Sequence, residues 1–272
     1  MADEKMPITE HLGELRKRII ISLVALLITF IVAFTYSEEI FKIIMFPFKY
    51  ELDFSIKKLY LEFVPKDRLQ NTKLVFLAPA EAFWMNMKVA FVAAFVFSLP
   101  VIFLQLWKFV SPGLHHKEKK YVIPFVLSAT MLFLFGAAFC FFIVLPFAMG
   151  FLLTYKVGDF LMPMLSVGQY TDFCLKFILA FGAIFELPII IIFLTRVGIV
   201  TPKTLAKSRK YAIIIAFILA AFLTPTPDAF NQTLMAIPIM LLYELGIWLS
   251  ILFERKKEDD REDKQEFQSN SV

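Results

Sequence analysis

Charge is scarce in this chain. Lys, Arg, Asp and Glu make up 19% of its 272 residues, against 59% hydrophobic residues. A soluble domain of this length has too few polar side chains to cover so much apolar surface. The composition therefore excludes a soluble globular protein and predicts a polytopic membrane protein. Cysteine is nearly absent: Cys140 and Cys174 are the two in the chain. Each lies in an apolar helical run, where Cys acts as a small hydrophobe rather than a cross-link or metal ligand. Histidine is limited to His11, His115 and His116. The sequence has no Gly-rich phosphate loop, no His–Glu zinc spacing and no nucleophile elbow. The expectation is a protein with no cofactor, no metal and no enzymatic chemistry. No cleavable signal peptide is expected either, because the first apolar run is long enough to span a membrane and no small-residue cleavage site follows it. The net charge of +4 is modest and sits in short loops, a pattern that reports topology rather than nucleic-acid binding.

What the sequence does contain is a series of six apolar runs, and these predict an all-α protein with six transmembrane helices at about residues 19–36, 81–109, 121–145, 169–195, 211–223 and 230–253. They form one membrane domain over residues 1–253, followed by a charged tail, 254–272, without structure. A charged amphipathic turn, residues 10–18, runs directly into the first span. Residues 37–80 predict a cap of two short surface helices, one stopped at Pro47 and one, containing Ile56, Leu59, Tyr60 and Phe63, ended by Pro65. Pro100 predicts a kink in the second span. The third span ends at Pro146, and residues 147–168 form a second surface segment. The fifth span reaches roughly 20 Å against a hydrocarbon core of about 30 Å, so the fifth and sixth helices form a short hairpin that tilts or thins the bilayer. Basic residues collect in the lead (Lys5, Arg16, Lys17, Arg18), the second–third turn (Lys117, Lys119, Lys120) and the fourth–fifth loop (Arg196, Lys203, Lys207, Arg209, Lys210). That distribution places both termini in the cytoplasm.

Several acids are ones that a membrane anchor does not need. Glu14 stands among Arg16, Lys17 and Arg18, four residues before Arg18 and on the same helix face. Glu118 stands among three lysines. Each reads either as a surface acid paired with its neighbours or as one of two carboxylates on one face, placed to accept a guanidinium bidentately. Glu186 is mid-membrane by its distance from Arg196, where an acid costs about 2.5–3.5 kcal/mol on insertion scales. It reads as a protonated structural acid or as a docking point for a polar group of a partner helix, with Pro188 freeing backbone carbonyls nearby. Glu244 lies at similar depth and reads as structural. Asp228 either caps the last helix or presents a polar face with Gln232. Lys88 snorkels to the interface.

Taken in order, these stretches resemble the TatC family, the multi-span subunit of the twin-arginine protein translocase. The resemblance is carried by His11-Leu12-Gly13-Glu14-Leu15-Arg16-Lys17-Arg18, Leu99-Pro100-Val101-Ile102, Phe109-Val110-Ser111-Pro112-Gly113-Leu114 and Lys117-Glu118. It continues through Phe181-Gly182, Phe185-Glu186-Leu187-Pro188, Leu223-Thr224-Pro225, Pro227-Asp228, Gln232-Thr233-Leu234 and Ala236-Ile237-Pro238. It implies a receptor and scaffold in the bacterial cytoplasmic membrane, driven by the membrane gradient. Such a protein binds twin-arginine signal peptides of folded cargo through Glu14, Glu118, Arg16 and Phe109. It also implies docking of TatB-like and TatA-like single-span subunits through Glu186, Gln232 and Asp228, structural roles for Pro47, Pro100 and Pro188, contact with membrane lipids, and self-association in a receptor complex. The alternative class is a proton-coupled secondary transporter using Glu186 and Glu244. No repeat between residues 19–145 and 169–253 supports it.

Overall fold

The computed structural model describes residues 8–55, 60–65, 74–110, 122–154, 165–224 and 228–269. The chain divides into two compact units, residues 1–179 and 180–272. Nearly all of it is helical, as the apolar runs predict.

In the first unit, α1 (Ile8–Thr35) carries the charged turn and the first span as one uninterrupted helix. It lies along α4 (Glu81–Val110), which runs through Pro100 without a break. Small residues set this seam. Ala33, Ala90 and Ala94 are buried together, with Leu26, Phe30, Ile40 and Ala93 packed around them. The backbones approach so closely that the Thr29 hydroxyl donates to the Ala94 carbonyl of the other helix at 3.1 Å. Small side chains at the contact are how membrane helices come together when lipid and side chain are equally apolar. Outside the seam, Leu23, Leu27, Ile28 and Ile31 of α1 are exposed, as a lipid-facing helix requires.

The cap corrects one expectation. α2 (Ser37–Ile44) and α3 (Phe46–Lys49) form as the first surface segment predicts, with Pro47 buried at the start of α3. The second surface helix does not form among the described residues: β1 (Tyr50–Ser55) and β2 (Tyr60–Pro65) pair antiparallel, Tyr50 opposite Pro65 and Ser55 opposite Tyr60. The reason is in the sequence, where Tyr50, Leu52 and Phe54 alternate with Glu51, Asp53 and Ser55. That is the period of two of a strand, not the 3.6 of a helix. Residues 56–59 lie outside the described residues.

The third span also continues past its expected end. α5 (Val122–Phe139) passes through a π-helical turn (Cys140–Val144) into α6 (Leu145–Thr154). Pro146 has no N–H to give the carbonyl one turn back. The π turn, in which the Leu145 N–H reaches the Cys140 carbonyl, shifts the hydrogen-bond register just ahead of it. α7 (Val167–Phe185) follows. The Tyr170 hydroxyl donates to the Ile44 carbonyl at 2.7 Å, and its ring meets Phe48 edge-on at 5.6 Å, fastening the cap to α7.

A carboxylate ties the N-terminal ends of α4 and α7 together. Glu81 accepts from the Leu77 N–H at 2.5 Å, the Ala78 N–H at 3.4 Å, the Gly168 N–H at 2.8 Å and the Ser166 hydroxyl. Val75 and Ser166 form a backbone bridge beside it. One acid thus satisfies otherwise orphaned donors at two helix starts. Glu81→Gln replaces one acceptor oxygen with a donor. Amide exchange at Leu77 or at Gly168, whichever loses its acceptor oxygen, should then speed up by about tenfold, the worth of one charge-assisted hydrogen bond. Unchanged protection would show that the carboxylate does not hold this junction.

In the second unit, α8 (Leu187–Val197) ends on Gly198, whose φ of 83° makes the left-handed cap that glycine takes most easily. α9 (Pro202–Lys207) is capped by Thr201, which accepts from the Thr204 N–H at 3.2 Å. α10 (Arg209–Leu223) and the long α11 (Ala229–Ser269) pack on each other, and α11 also packs on α8. A Cβ added at Gly246 would lie 2.6 Å from Ile191 Cδ1 and 3.3 Å from Pro188 Cα, so α8 and α11 meet closely at a glycine, and a larger residue must displace the Ile191 side chain and press on the Pro188 backbone. Gly246→Val should cost about 1–3 kcal/mol by overpacking, seen as a lower thermal midpoint in detergent; an unchanged midpoint would contradict this contact. α11 runs helically to Ser269, in place of a tail without structure from residue 254. The tail is polar but rich in Glu, Lys, Arg and Gln, which are strong helix formers.

Among the described residues, five helical stretches are long and apolar enough to cross a membrane: Leu12–Thr35, Glu81–Phe109, Val122–Leu152, Val167–Val197 and Ala229–Leu252. α10, with 15 residues, is the short member that its sequence predicts.

Candidate functional site

The Glu14 end of α1 and the C-terminal end of α4 build one polar group. Glu14 and Arg18 are a helical turn apart, and Arg18 Nη2 donates to Glu14 Oε1 at 2.7 Å. The intrahelical pair that the spacing predicts is therefore present. From α4, Gln105 accepts from Arg18 Nη1 at 3.4 Å. Gln105 is 7% exposed, so α4 holds Arg18 and Arg18 holds Glu14. Among the described residues no hydrogen bond reaches Glu14 Oε2.

An apolar groove of about 290 Å³ opens beside this group. Leu15, Ile19 and Leu23 of α1 line it with Phe95, Ile102 and Phe109 of α4. Phe109 therefore lies in the groove wall, beside the Glu14–Arg18 pair. A half-open carboxylate beside an apolar slot suits a cation attached to an apolar chain. Arg16 is exposed, and among the described residues no hydrogen bond or ion pair joins it to Glu14 or Gln105. Trp107 stacks on Phe125 at 4.0 Å, pinning the end of α4 to the start of α5. The connection between them, residues 111–121, carries Glu118 and lies outside the described residues.

Gln105 is the site residue that sequence reasoning misses. Its signal is a single amide inside an otherwise apolar run, the kind of intramembrane polar group that needs a partner.

The other acids separate by environment. Glu186 sits at the turn between α7 and α8, its carbonyl accepting from the Ile190 N–H at 2.9 Å. It is buried, and its Oε1 meets no hydrogen-bond partner among the described residues. Pro188 falls in the first turn of α8, where a missing N–H costs nothing. Glu244, read from the sequence as structural, is in a two-pronged ion pair with Arg209, at 2.6 and 2.9 Å. Tyr243 donates to the Leu205 carbonyl at 2.9 Å beside the pair. Asp228 caps α11 by accepting from the Asn231 N–H at 2.7 Å and the Asn231 amide at 2.9 Å. Gln232 is half-buried one turn on. Lys88 does not snorkel alone; it pairs with Asp172 at 2.8 and 2.9 Å.

Long apolar helices, small-residue seams and charged groups gathered at helix ends define a helical multi-span membrane protein. A family model described as Sec-independent protein translocase protein (TatC) matches residues 10–238, and the chain belongs to the TatC family. Among curated relatives, the Sec-independent protein translocase protein TatC of Aquifex aeolicus is 42% identical over 255 residues, covering 93% of this chain and 98% of that one. That of Desulforapulum autotrophicum is 38% identical over 261 residues, covering 96% and 90%. A crystal structure of the twin arginine translocase receptor TatC matches at a TM-score of 0.73 and 40% identity, over 89% of this chain and 98% of that chain. The protein is thus a component of the Sec-independent protein translocase.

Proposed function

We propose that the chain is the signal-peptide receptor and core scaffold of the twin-arginine translocase. It binds the arginine pair of folded cargo on the cytoplasmic side and gathers small single-span subunits for export across the bacterial inner membrane. The observation that carries this reading is Glu14, held through Arg18 by buried Gln105, with one oxygen open beside the Phe109 groove. Two arginines need two carboxylates. The chain leaves this end of α4 directly into the segment that holds Glu118, so connectivity favours the second acid close by. Arg16 acts as a basic neighbour that orients the anionic parts of the site.

Glu186, buried with an oxygen that meets no partner among the described residues, is the docking point for a polar group on a TatB-like or TatA-like helix, with Gln232 and Asp228 near the start of α11 as a second contact. Pro47, Pro100 and Pro188 shape the cap, α4 and α8. The six helices work as one membrane domain with both termini in the cytoplasm, and the receptor self-associates. The transporter reading loses one of its two acids, because the Glu244 carboxylate is engaged by Arg209.

The test is binding of a twin-arginine peptide to the purified protein, compared with the same peptide carrying a lysine pair. Binding lost on the change to lysine supports the receptor, since an ammonium cannot reproduce a planar fork. Equal binding of both peptides would sink it.

A further inference from the structure

A second groove lies at the opposite end of α4 from Glu14, and it is larger, about 710 Å³. α1, α4 and α7 all contribute, with Leu23, Leu27, Phe30, Trp84, Phe91 and Leu175 supplying an apolar wall. Three charged side chains stand in that wall: Lys88, Asp172 and Lys176. Lys88 and Asp172 pair at 2.8 Å. That leaves Lys176 as an exposed ammonium with no ion pair among the described residues, and the groove with one positive charge in excess.

The depth is specific. Lys88 is about 10 Å along α4 from its N-terminus, and Lys176 about 14 Å along α7. Both helices start at the same face, where Glu81 joins them. A lysine this far into a spanning helix needs water, an anion or a long reach to the headgroups. The groove offers an acyl chain an apolar channel beneath that positive charge.

We propose that this groove is a binding site for an anionic phospholipid of the leaflet at the N-terminal ends of α4 and α7. One acyl chain lies along the α1–α4–α7 channel, and the phosphate is held by Lys176 with the third proton of Lys88. Asp172 keeps Lys88 in place and limits the excess to a single charge. The site therefore favours an anionic headgroup over a zwitterionic one by about fivefold, the contribution of one lysine near an anionic surface. It stands apart from the Glu14 group: the two grooves have Leu23 and Leu26 of α1 in common, and the charged and polar residues of each are its own.

Trp84 supplies the readout. The full chain is reconstituted in phosphatidylcholine vesicles that contain a minor fraction of either brominated phosphatidylglycerol or brominated phosphatidylcholine. Bromine quenches a tryptophan in contact with the labelled chain, and subtracting the Trp84→Phe protein isolates the Trp84 signal. The expected result is about fivefold stronger quenching by the anionic lipid at equal content. Lys176→Gln should bring the two lipids to parity, and Asp172→Asn, which frees Lys88, should widen the preference. Parity in the unsubstituted chain, an anionic preference that survives Lys176→Gln, or no quenching by either lipid would each overturn the proposal.

Discussion

Replacing Glu14 with Gln should weaken twin-arginine peptide binding roughly 10- to 100-fold while leaving the fold in place. The shape of the side chain is kept, and only its charge is lost. A hydrogen bond to an ionised partner contributes about 1.5–3 kcal/mol more than its absence, and each 1.4 kcal/mol is about tenfold in affinity. The stability side is small by comparison. The Glu14–Arg18 pair is an i,i+4 contact whose side chains are 21% and 23% exposed, and such pairs contribute a few tenths of a kcal/mol. Binding and melting should therefore part company in this variant. Peptide titration and thermal unfolding on the same preparation check both halves. A fall in melting temperature that matches the fall in affinity would mean that Glu14 is structural.

The second large effect is on packing. Ala94→Leu should cost about 1–3 kcal/mol and release α1 from α4. Ala94 is fully buried where the two backbones meet, against Ala33 and Ala90. Its carbonyl takes the Thr29 hydroxyl from α1. The extra carbons of a leucine cannot enter without prising the helices apart, and the Arg18–Gln105 hydrogen bond is too weak to hold α1 in register by itself. Because α1 carries Glu14, the same substitution should abolish peptide binding. Ala94→Ser, which adds one small atom, should keep both. Unfolding in detergent and peptide binding by Ala94→Leu decide the matter: a protein that melts and binds normally would contradict the close seam.

These two predictions differ in how far the sequence reaches. Glu14 with Arg18 is legible from spacing, because a helix converts four residues of separation into contact. So are the six apolar runs, the short α10 and the Asp228 cap, all set by local composition. Partners distant in sequence are not legible. Lys88 finds Asp172 across a separation of 84 residues, and Gln105 reaches Arg18 across 87. Spacing rules carry no information about either. The misread boundaries share a cause, which is that a single local signal gives way to its neighbours. Proline at 146 reads as a stop, yet a π turn carries the helix on. Charge from residue 254 reads as a stop, yet strong helix formers carry α11 to Ser269. The β1 alternation is present in the sequence but weaker than the surrounding hydrophobicity.

Most depends on whether Glu14 contacts an arginine of the signal peptide. A double-mutant cycle isolates that contact. The unsubstituted protein and its Glu14→Gln variant are each titrated with peptides carrying arginine or lysine at each position of the pair, with Glu118→Gln run in parallel. A coupling of about 1 kcal/mol or more is expected between Glu14 and one of the two arginines. Losses that simply add, for both arginines, would contradict the contact.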